Sequence, residues 1–316
     1  MSDMPNSRLA VNLCGIPLSN PVIAASGTFA YGVEFASILD LDSLGGFVVK
    51  GLSREPMNGN PPPRVWEASS GMINSIGLQN IGVRAFVRDK LPLLAAMRST
   101  AAVFANVFGF EIEDYEEVLR VLEDAPALAG YELNVSCPNT KHGGMYFSND
   151  PGLLSEVVAA ARKVIRGKRP LIVKLSPNVA HIAPLAKAAE EAGADAISLV
   201  NTFVSLSIDA RTRKPRIGAG YGGLSGPAIK PLALRLVYEA AQSLRIPVIG
   251  LGGIATGEDA AEFLIAGATA VEVGTANFWD PQAGPRIVRE LDAFLAGQGI
   301  AGVPELTGTL QFPSSK

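Results

Sequence analysis

Hydrophobic residues along this chain follow a repeating two-part pattern. A run of four to six apolar residues ends at a polar or glycine-rich loop, and a stretch with apolar positions three and four apart follows. The first part reads as a buried strand, the second as a helix with one apolar face. Strands are predicted at 22–25, 46–49, 102–107, 130–135, 171–175, 196–200, 248–251 and 270–273. Helices are predicted at 33–39, 81–97, 112–122, 151–165, 182–192, 227–243, 259–266 and about 285–295. Eight strands alternating with eight helices, with no break in composition, favour one α/β domain over 1–316. The pattern fits a (β/α)8 TIM barrel better than a doubly wound sheet. A short hairpin, 9–13 with 16–18, precedes it. Two helix-to-strand junctions, Glu191-Ala192-Gly193-Ala194-Asp195 and Ile265-Ala266-Gly267-Ala268-Thr269, share a glycine that ends the helix.

Two loops are too long to be simple connections. Residues 51–80 contain Pro61-Pro62-Pro63 and two strand-like pieces, 64–68 and 71–74; residues 201–226 carry Arg211, Arg213, Lys214 and a glycine cluster from Gly218. Long loops after barrel strands lie at the carboxyl face, where barrel enzymes build their sites. The tail, 307–316, is expected to be loosely held. At 316 residues, 48% hydrophobic and 18% charged, the chain can bury a large core. A formal net charge of −3 gives no nucleic-acid footprint. Two cysteines, Cys14 and Cys137, fit a reducing cytoplasm rather than a disulfide scaffold. No stretch reads as a signal peptide or a membrane span. A soluble cytoplasmic protein is expected, with no partner in nucleic acid or membrane.

Almost every predicted strand ends in a residue able to touch a ligand. In order these are Ser26 and Gly27, Lys50, Asn106, Asn134 and Cys137, Lys174, Asn201 and Thr202, Gly252 and Gly253, then Gly274 and Thr275. The ring contains two lysines, several asparagines and one thiol, and no carboxylate or histidine is expected in it. The glycine pairs after strands seven and eight stand where many barrels bind phosphate, because glycine lets backbone N–H groups approach an anion closely. Lys50 and Lys174 admit three readings: a Schiff-base nucleophile, a fixed cation beside an anion, or a snorkelling structural side chain. A phosphate site with a second fixed cation suits flavin mononucleotide, FMN, whose reduced ring carries negative charge.

Cys137 sits in Leu133-Asn134-Val135-Ser136-Cys137-Pro138-Asn139, at the end of a strand and ahead of a flexible run ending Gly143-Gly144. A thiol there suits a general base or nucleophile; a lone cysteine is also common as a small core residue. Residues 140–149 have the composition of a lid. Gly218-Ala219-Gly220-Tyr221-Gly222-Gly223 matches the dinucleotide string, but it lies deep in a loop and opens no βαβ unit. The two histidines, His142 and His181, are far apart, so no metal site is expected.

Four motifs then carry a resemblance. Gly59-Asn60-Pro61 with Pro63-Arg64, Asn74-Ser75-Ile76-Gly77-Leu78-Gln79-Asn80, Glu132-Leu133-Asn134-Val135-Ser136-Cys137-Pro138-Asn139 and Leu224-Ser225-Gly226-Pro227 together resemble dihydroorotate dehydrogenase. The likeness runs from about 9 to 295. It implies an FMN barrel that oxidises dihydroorotate to orotate in pyrimidine (UMP) biosynthesis. By motif, Cys137 is the base that removes the C5 proton while hydride leaves C6 for flavin N5. Lys50, Asn74, Ser75, Ile76, Gly77, Leu78, Asn134, Asn139, Asn201 and Thr202 would hold the substrate. Ser26, Lys50, Gly51, Asn106, Asn134, Lys174, Val200, Gly226, Gly252, Gly253, Gly274 and Thr275 would hold FMN.

The subclass follows from the same comparison. Membrane-bound relatives use serine as the base and carry a helical anchor; here the base position is Cys137. Cys-Pro-Asn-Thr-Lys-His-Gly-Gly is similar to the catalytic subunit of the two-subunit, NAD-linked type (1B). That type implies an electron-transfer partner carrying FAD and an iron–sulfur cluster, around a homodimer core, in a heterotetramer of two plus two. The one-subunit fumarate-using type is the alternative. A flavin-free barrel aldolase or isomerase and a non-catalytic binding barrel also stay open on the residues alone.

Overall fold

The computed structural model describes residues 7–135 and 144–313. Within it eight parallel strands close into a barrel. They are β1 (Val22–Ala24), β2 (Gly46–Leu52), β3 (Ala102–Val107), β4 (Gly130–Asn134), β5 (Leu171–Lys174), β6 (Ala196–Leu199), β7 (Val248–Leu251) and β8 (Ala270–Val273). Each pairs with its neighbour in sequence, and β8 returns to β1. A strand in a closed sheet covered by helices meets protein on both faces, so the sequence runs apolar without alternation. Every position of β1, β5, β6, β7 and β8 is buried accordingly.

The outer layer comprises α1 (Leu91–Met97), α2 (Ile112–Glu123), α3 (Pro151–Val164), α4 (Ala183–Glu191), α5 (Lys230–Ser243), α6 (Gly257–Ile265) and α7 (Ala283–Gly297). Two helix expectations are corrected. Residues 33–39 form successive turns rather than a helix. Ala30 at φ 44° and Gly32 at φ 86° break helical continuity, and Phe35 is drawn instead onto Phe29, ring centroids 4.1 Å apart. Residues 81–97 are not one regular helix: Val83–Ala85 passes through a π-type turn, Phe86–Lys90, before α1. Pro92 near the start of α1 has no N–H to continue an α-ladder, and the wider turn absorbs the loss. The junction glycines Gly193 and Gly267 take φ of 107° and 113°, as the repeated pattern required.

The long loops build a second sheet. Phe203–Leu206, Tyr221–Ser225, Gly71–Asn74 and Val65–Ala68 pair antiparallel in that order, with Gly223 opposite Asn74 and Ser225 opposite Met72. Gly222 and Gly223 belong to a strand here. A side chain on Gly223 would collide with Thr202, so close strand approach explains the glycines that mimicked a dinucleotide motif. The hairpin is present as Val11–Leu13 with Ile16–Leu18. Residues 307–312, expected to be loose, are tied: Gly308 and Leu310 donate to Leu264 and Ile265 carbonyls, and Phe312 lies 5.4 Å from the Tyr238 ring. Among the described residues no helix is long and apolar enough to cross a membrane.

Contact between α6 and α7 rests on Gly257. Its N–H donates to Glu290, 2.8 Å, and an added Cβ would overlap the backbone at Glu290 and Leu291. Alanine is the better helix former by about 1 kcal/mol, but overlap with rigid backbone outweighs that. Gly257→Ala is therefore expected to lower stability by about 1–3 kcal/mol. A urea-unfolding midpoint equal to or above the parent's would show that the helices part without cost.

Candidate active site

At the carboxyl ends of the strands the barrel opens into a cavity of about 440 Å³, within the usual range for small-molecule and cofactor sites. It is walled by strand ends below and by the second sheet beside them, through Val65, Met72, Asn74 and Ser225. Ser26, Lys50, Gly51, Asn106, Asn134, Lys174, Val200, Asn201 and Thr202 line it from the first six strands and the turns after them. Gly226 enters from the second sheet; Gly252, Gly253, Gly274 and Thr275 enter from the turns after β7 and β8. Ile76, Gly77 and Leu78 enter from the loop after Gly71–Asn74. Ser75 does not line the cavity. It is fully buried, its N–H donates to the Arg64 carbonyl at 2.8 Å, and its hydroxyl has no hydrogen-bond partner among the described residues. Cys137 and Asn139 lie outside the described residues, as do residues 140–143 of the expected lid; the rest of that stretch, Gly144–Asn149, forms a short helix.

The floor is charged. Lys174, 4% exposed, places Nζ 2.8 Å from Glu272 and 3.4 Å from Glu132, both of them buried. Glu132 also accepts hydrogen bonds from Asn106 at 2.7 Å, Ser198 at 2.9 Å and Ser26 at 3.2 Å. The expectation of a ring without carboxylates is thus corrected. Both glutamates lie inside strands, not after them. Glu132 shares its face with Asn134 and Glu272 shares its face with Gly274, two residues on. A charged residue at that alternation in an otherwise apolar strand was the signal that a search of strand ends overlooks.

Burial alone would raise Glu132 and lower Lys174. For Glu132 the Lys174 charge and its hydrogen bonds more than offset this, and it ends below the ordinary carboxylate range. For Lys174 the two carboxyls win, and its pKa is raised. For Glu272 burial, then the charge of Glu132 and the hydrogen bond to its carboxyl, outweigh Lys174 and lift it to about 8. Lys50 contrasts with Lys174. It has no ion-pair partner among the described residues, and burial, then the charge of Arg64, lower its pKa. One lysine is neutralised by the protein; the other faces the cavity uncompensated among the described residues. Cys14 has no part here: it donates to the Asp195 carbonyl, and burial and the Asp195 charge push its thiol up to about 12.

The walls are held by residues outside the expected set. Asn60 donates its side-chain amide to Ser75 O at 2.9 Å and its backbone N–H to Ile76 O at 2.9 Å. Arg64 bonds Asn60 O and Gln79, and Asn80 donates to Leu78 O. This bracing holds Leu78 at φ 57°, an unusual backbone for leucine. Asn178 spans from Thr202 O to the Val204 N–H and fixes the loop after β6. On the far side, the turns bearing Gly226 and Gly253 touch: a Cβ on Gly253 would fall 2.8 Å from Gly226 O. Gly252 and Gly253 have positive φ, and their N–H groups make no hydrogen bond among the described residues. Free N–H groups in a glycine cradle, with an ammonium on the adjoining floor, fit a phosphate-bearing planar cofactor.

Removing the floor cation should expose its cost. Lys174→Met leaves two buried carboxyls without a counter-charge and is expected to destabilise by about 3–5 kcal/mol near pH 8. Without Lys174 both carboxyls sit above their unfolded values, so the folded state binds more protons and stability falls as pH rises. The deficit should therefore shrink at pH 5. Unfolding curves showing one deficit at both pH values would mean that the charge cluster is not its source.

The cavity's owner can be placed by comparison. Residues 8–295 match the family model described as dihydroorotate dehydrogenase. A Solibacter usitatus protein, named provisionally a dihydroorotate dehydrogenase A (fumarate), is 72% identical over 96% of this chain and 99% of its own. Proteins named dihydroorotate dehydrogenase B (NAD(+)), catalytic subunit, are similar too. That of Geobacter metallireducens is 49% identical over 98% of this chain and 100% of its own, and that of Geotalea uraniireducens 50% over 97% and 99%. With the barrel, the glycine cradle and the two lysines in place, the chain belongs to the dihydroorotate dehydrogenase family, whose members oxidise dihydroorotate to orotate.

Proposed function

We propose that this protein is an FMN-dependent dihydroorotate dehydrogenase with Cys137 as general base, passing electrons to NAD through a partner subunit. The observation that carries the reading is one cavity in which Lys50, without an ion-pair partner among the described residues, meets the glycine cradle. Gly226, Gly252, Gly253, Gly274 and Thr275 would hold the cofactor's phosphate end; Ser26, Gly51, Asn106, Asn134, Lys174 and Val200 would hold its ring. FMN bound there supplies the two-electron acceptor. Lys50 is the counter-charge for the substrate carboxylate. Asn74, Asn134, Asn139, Asn201 and Thr202, with the braced turn Ile76-Gly77-Leu78, supply donors and acceptors for a flat, polar ring. Ser75, buried behind that turn, acts by positioning it. Cys137 takes the C5 proton as the thiolate.

Two surface features support the assembly. Phe278 and Trp279, 55% and 54% exposed, line the cavity edge just past Thr275, and a docked electron-transfer subunit bearing FAD and an iron–sulfur cluster would cover them. Val204, Leu206, Ile208 and Tyr221 are exposed on or beside the second sheet and suit a homodimer core. Two copies of each subunit then give a heterotetramer, in the cytoplasm. The 72% identity to the Solibacter usitatus protein favours a second reading, direct use of fumarate at the same cavity.

Purified protein is expected to be yellow and to release FMN on denaturation. Cys137→Ser should cut turnover at neutral pH by at least about 10²-fold while keeping FMN, with partial recovery at high pH, because a hydroxyl is far harder to ionise. Parent-like turnover in that variant would remove Cys137 from the role of base. In steady-state assays the chain alone should reduce dyes but not NAD, with NAD reduction appearing when the partner is added. Efficient fumarate-dependent turnover by the chain alone would assign it to the second reading.

A further inference from the structure

Glu272 has a second consequence, which rests on the flavin reading above. It belongs to a buried group of two carboxyls and one ammonium at the cavity floor: Glu272 on β8, Glu132 on β4 and Lys174 on β5. One ammonium balances one carboxylate. A second negative charge would stand uncompensated away from water, so one carboxyl keeps a proton. The hydrogen bonds decide which. Glu132 receives donors from Asn106, Ser26 and Ser198, all of which favour its ionised form. Glu272 receives Lys174 and is hydrogen-bonded to the Glu132 carboxyl, a bond that favours its protonated form. It is 1% exposed and lines the cavity. The strands flanking it, β7 and β1, carry no titratable residue, so Glu132 and Lys174 are the charges that face it, with Lys50 farther along the same cavity.

We propose that Glu272 is a positioning residue that acts through Lys174 as a proton reservoir for the cofactor, able to ionise only while the cofactor's ring carries no negative charge. In the neutral form it leaves the full charge of Lys174 available to an anion. In the ionised form it competes for that charge. At alkaline pH, when two electrons and one proton pass from substrate to cofactor as hydride, the Glu272 carboxylate takes one further proton from water. The net charge of the site is then unchanged by reduction, since the charge gained by the cofactor is cancelled at Glu272. The tendency of this carboxyl to hold its proton up to about 8 sets the pH above which the uptake begins.

The test uses the flavin-loaded protein and its Glu272→Gln variant, which keeps the shape and removes the proton site. Each is equilibrated with reference dyes from pH 6.5 to 10, and the bound-flavin potential is read by absorbance. Above the Glu272 pKa the parent's reduction equilibrium should shift by about tenfold more per pH unit than the variant's, or about 30 mV per unit for a two-electron couple. Below pH 7 the slopes should coincide. A residue that only supported the fold would change stability without separating them. If the variant does not fold, the parent alone decides: at pH 9 its reduced-minus-oxidised infrared spectrum should show a new protonated-carboxyl band that moves on 13C-glutamate labelling. Equal slopes, or no such band, in flavin-loaded protein overturn the role of Glu272 alone. A folded protein that takes up no flavin overturns it together with the flavin reading.

Discussion

A closed parallel barrel must fill its own interior, and this one changes from apolar packing to a charge cluster at the floor of the cavity. Lys174 is the centre of that change. A buried ammonium is tolerated only with partners, and Glu132 and Glu272 reach it from strands four and eight. Six strands or their ends contribute to the network once Ser26, Asn106 and Ser198 are included. Their register therefore fixes the floor on which any ligand rests. A shift of one residue in any of these strands would turn its polar side chain into the helical layer.

Above that floor, precision comes from loops that behave as structured elements. Segments separated by nearly 150 residues pair as one sheet, and Asn60, Arg64, Asn80 and Asn178 satisfy the carbonyls that the turns leave bare. Buried loop backbone needs such partners. Rigid turns then present backbone groups to the cavity without ordering them at the moment of binding, which is how a preorganised site limits the entropy cost of holding a small ring.

The barrel was legible because its strands are buried on both faces and its helices on one, a contrast that periodicity reports directly. Lys50, Lys174, Asn106 and the glycine pairs were legible because they end strands. Glu132 and Glu272 were not, since a search confined to strand ends never asks what alternates two residues earlier. The turns at 33–39 were misread because Phe35 and Leu39 have helical spacing, while the deciding features, Ala30 and Gly32 at positive φ, are conformational. Nor could the second sheet be foreseen. The pieces at 64–68 and 71–74 read as strands, but Phe203–Leu206 and Tyr221–Ser225 lay within a loop read for its charges and glycines. Pairing Gly71–Asn74 with Tyr221–Ser225 depends on the barrel bringing the two loops to one rim.

The two lysines divide the electrostatic work. Lys174 has its counter-charge built in, so the protein carries the desolvation of that ammonium whether or not a ligand is present. Lys50 has none among the described residues; burial and the neighbouring Arg64 both disfavour its charge. An anion arriving beside Lys50 supplies what the fold withholds, so its attraction is strongest in a cavity already shielded from water. Under the proposed function a carboxylate-bearing ring would be favoured there over a neutral one of the same shape, since the neutral ring would bury Lys50 further and return nothing. On that reading, selectivity for an anionic substrate would follow from leaving one half-buried cation unpaired among the described residues, beside another whose pairing keeps the floor intact.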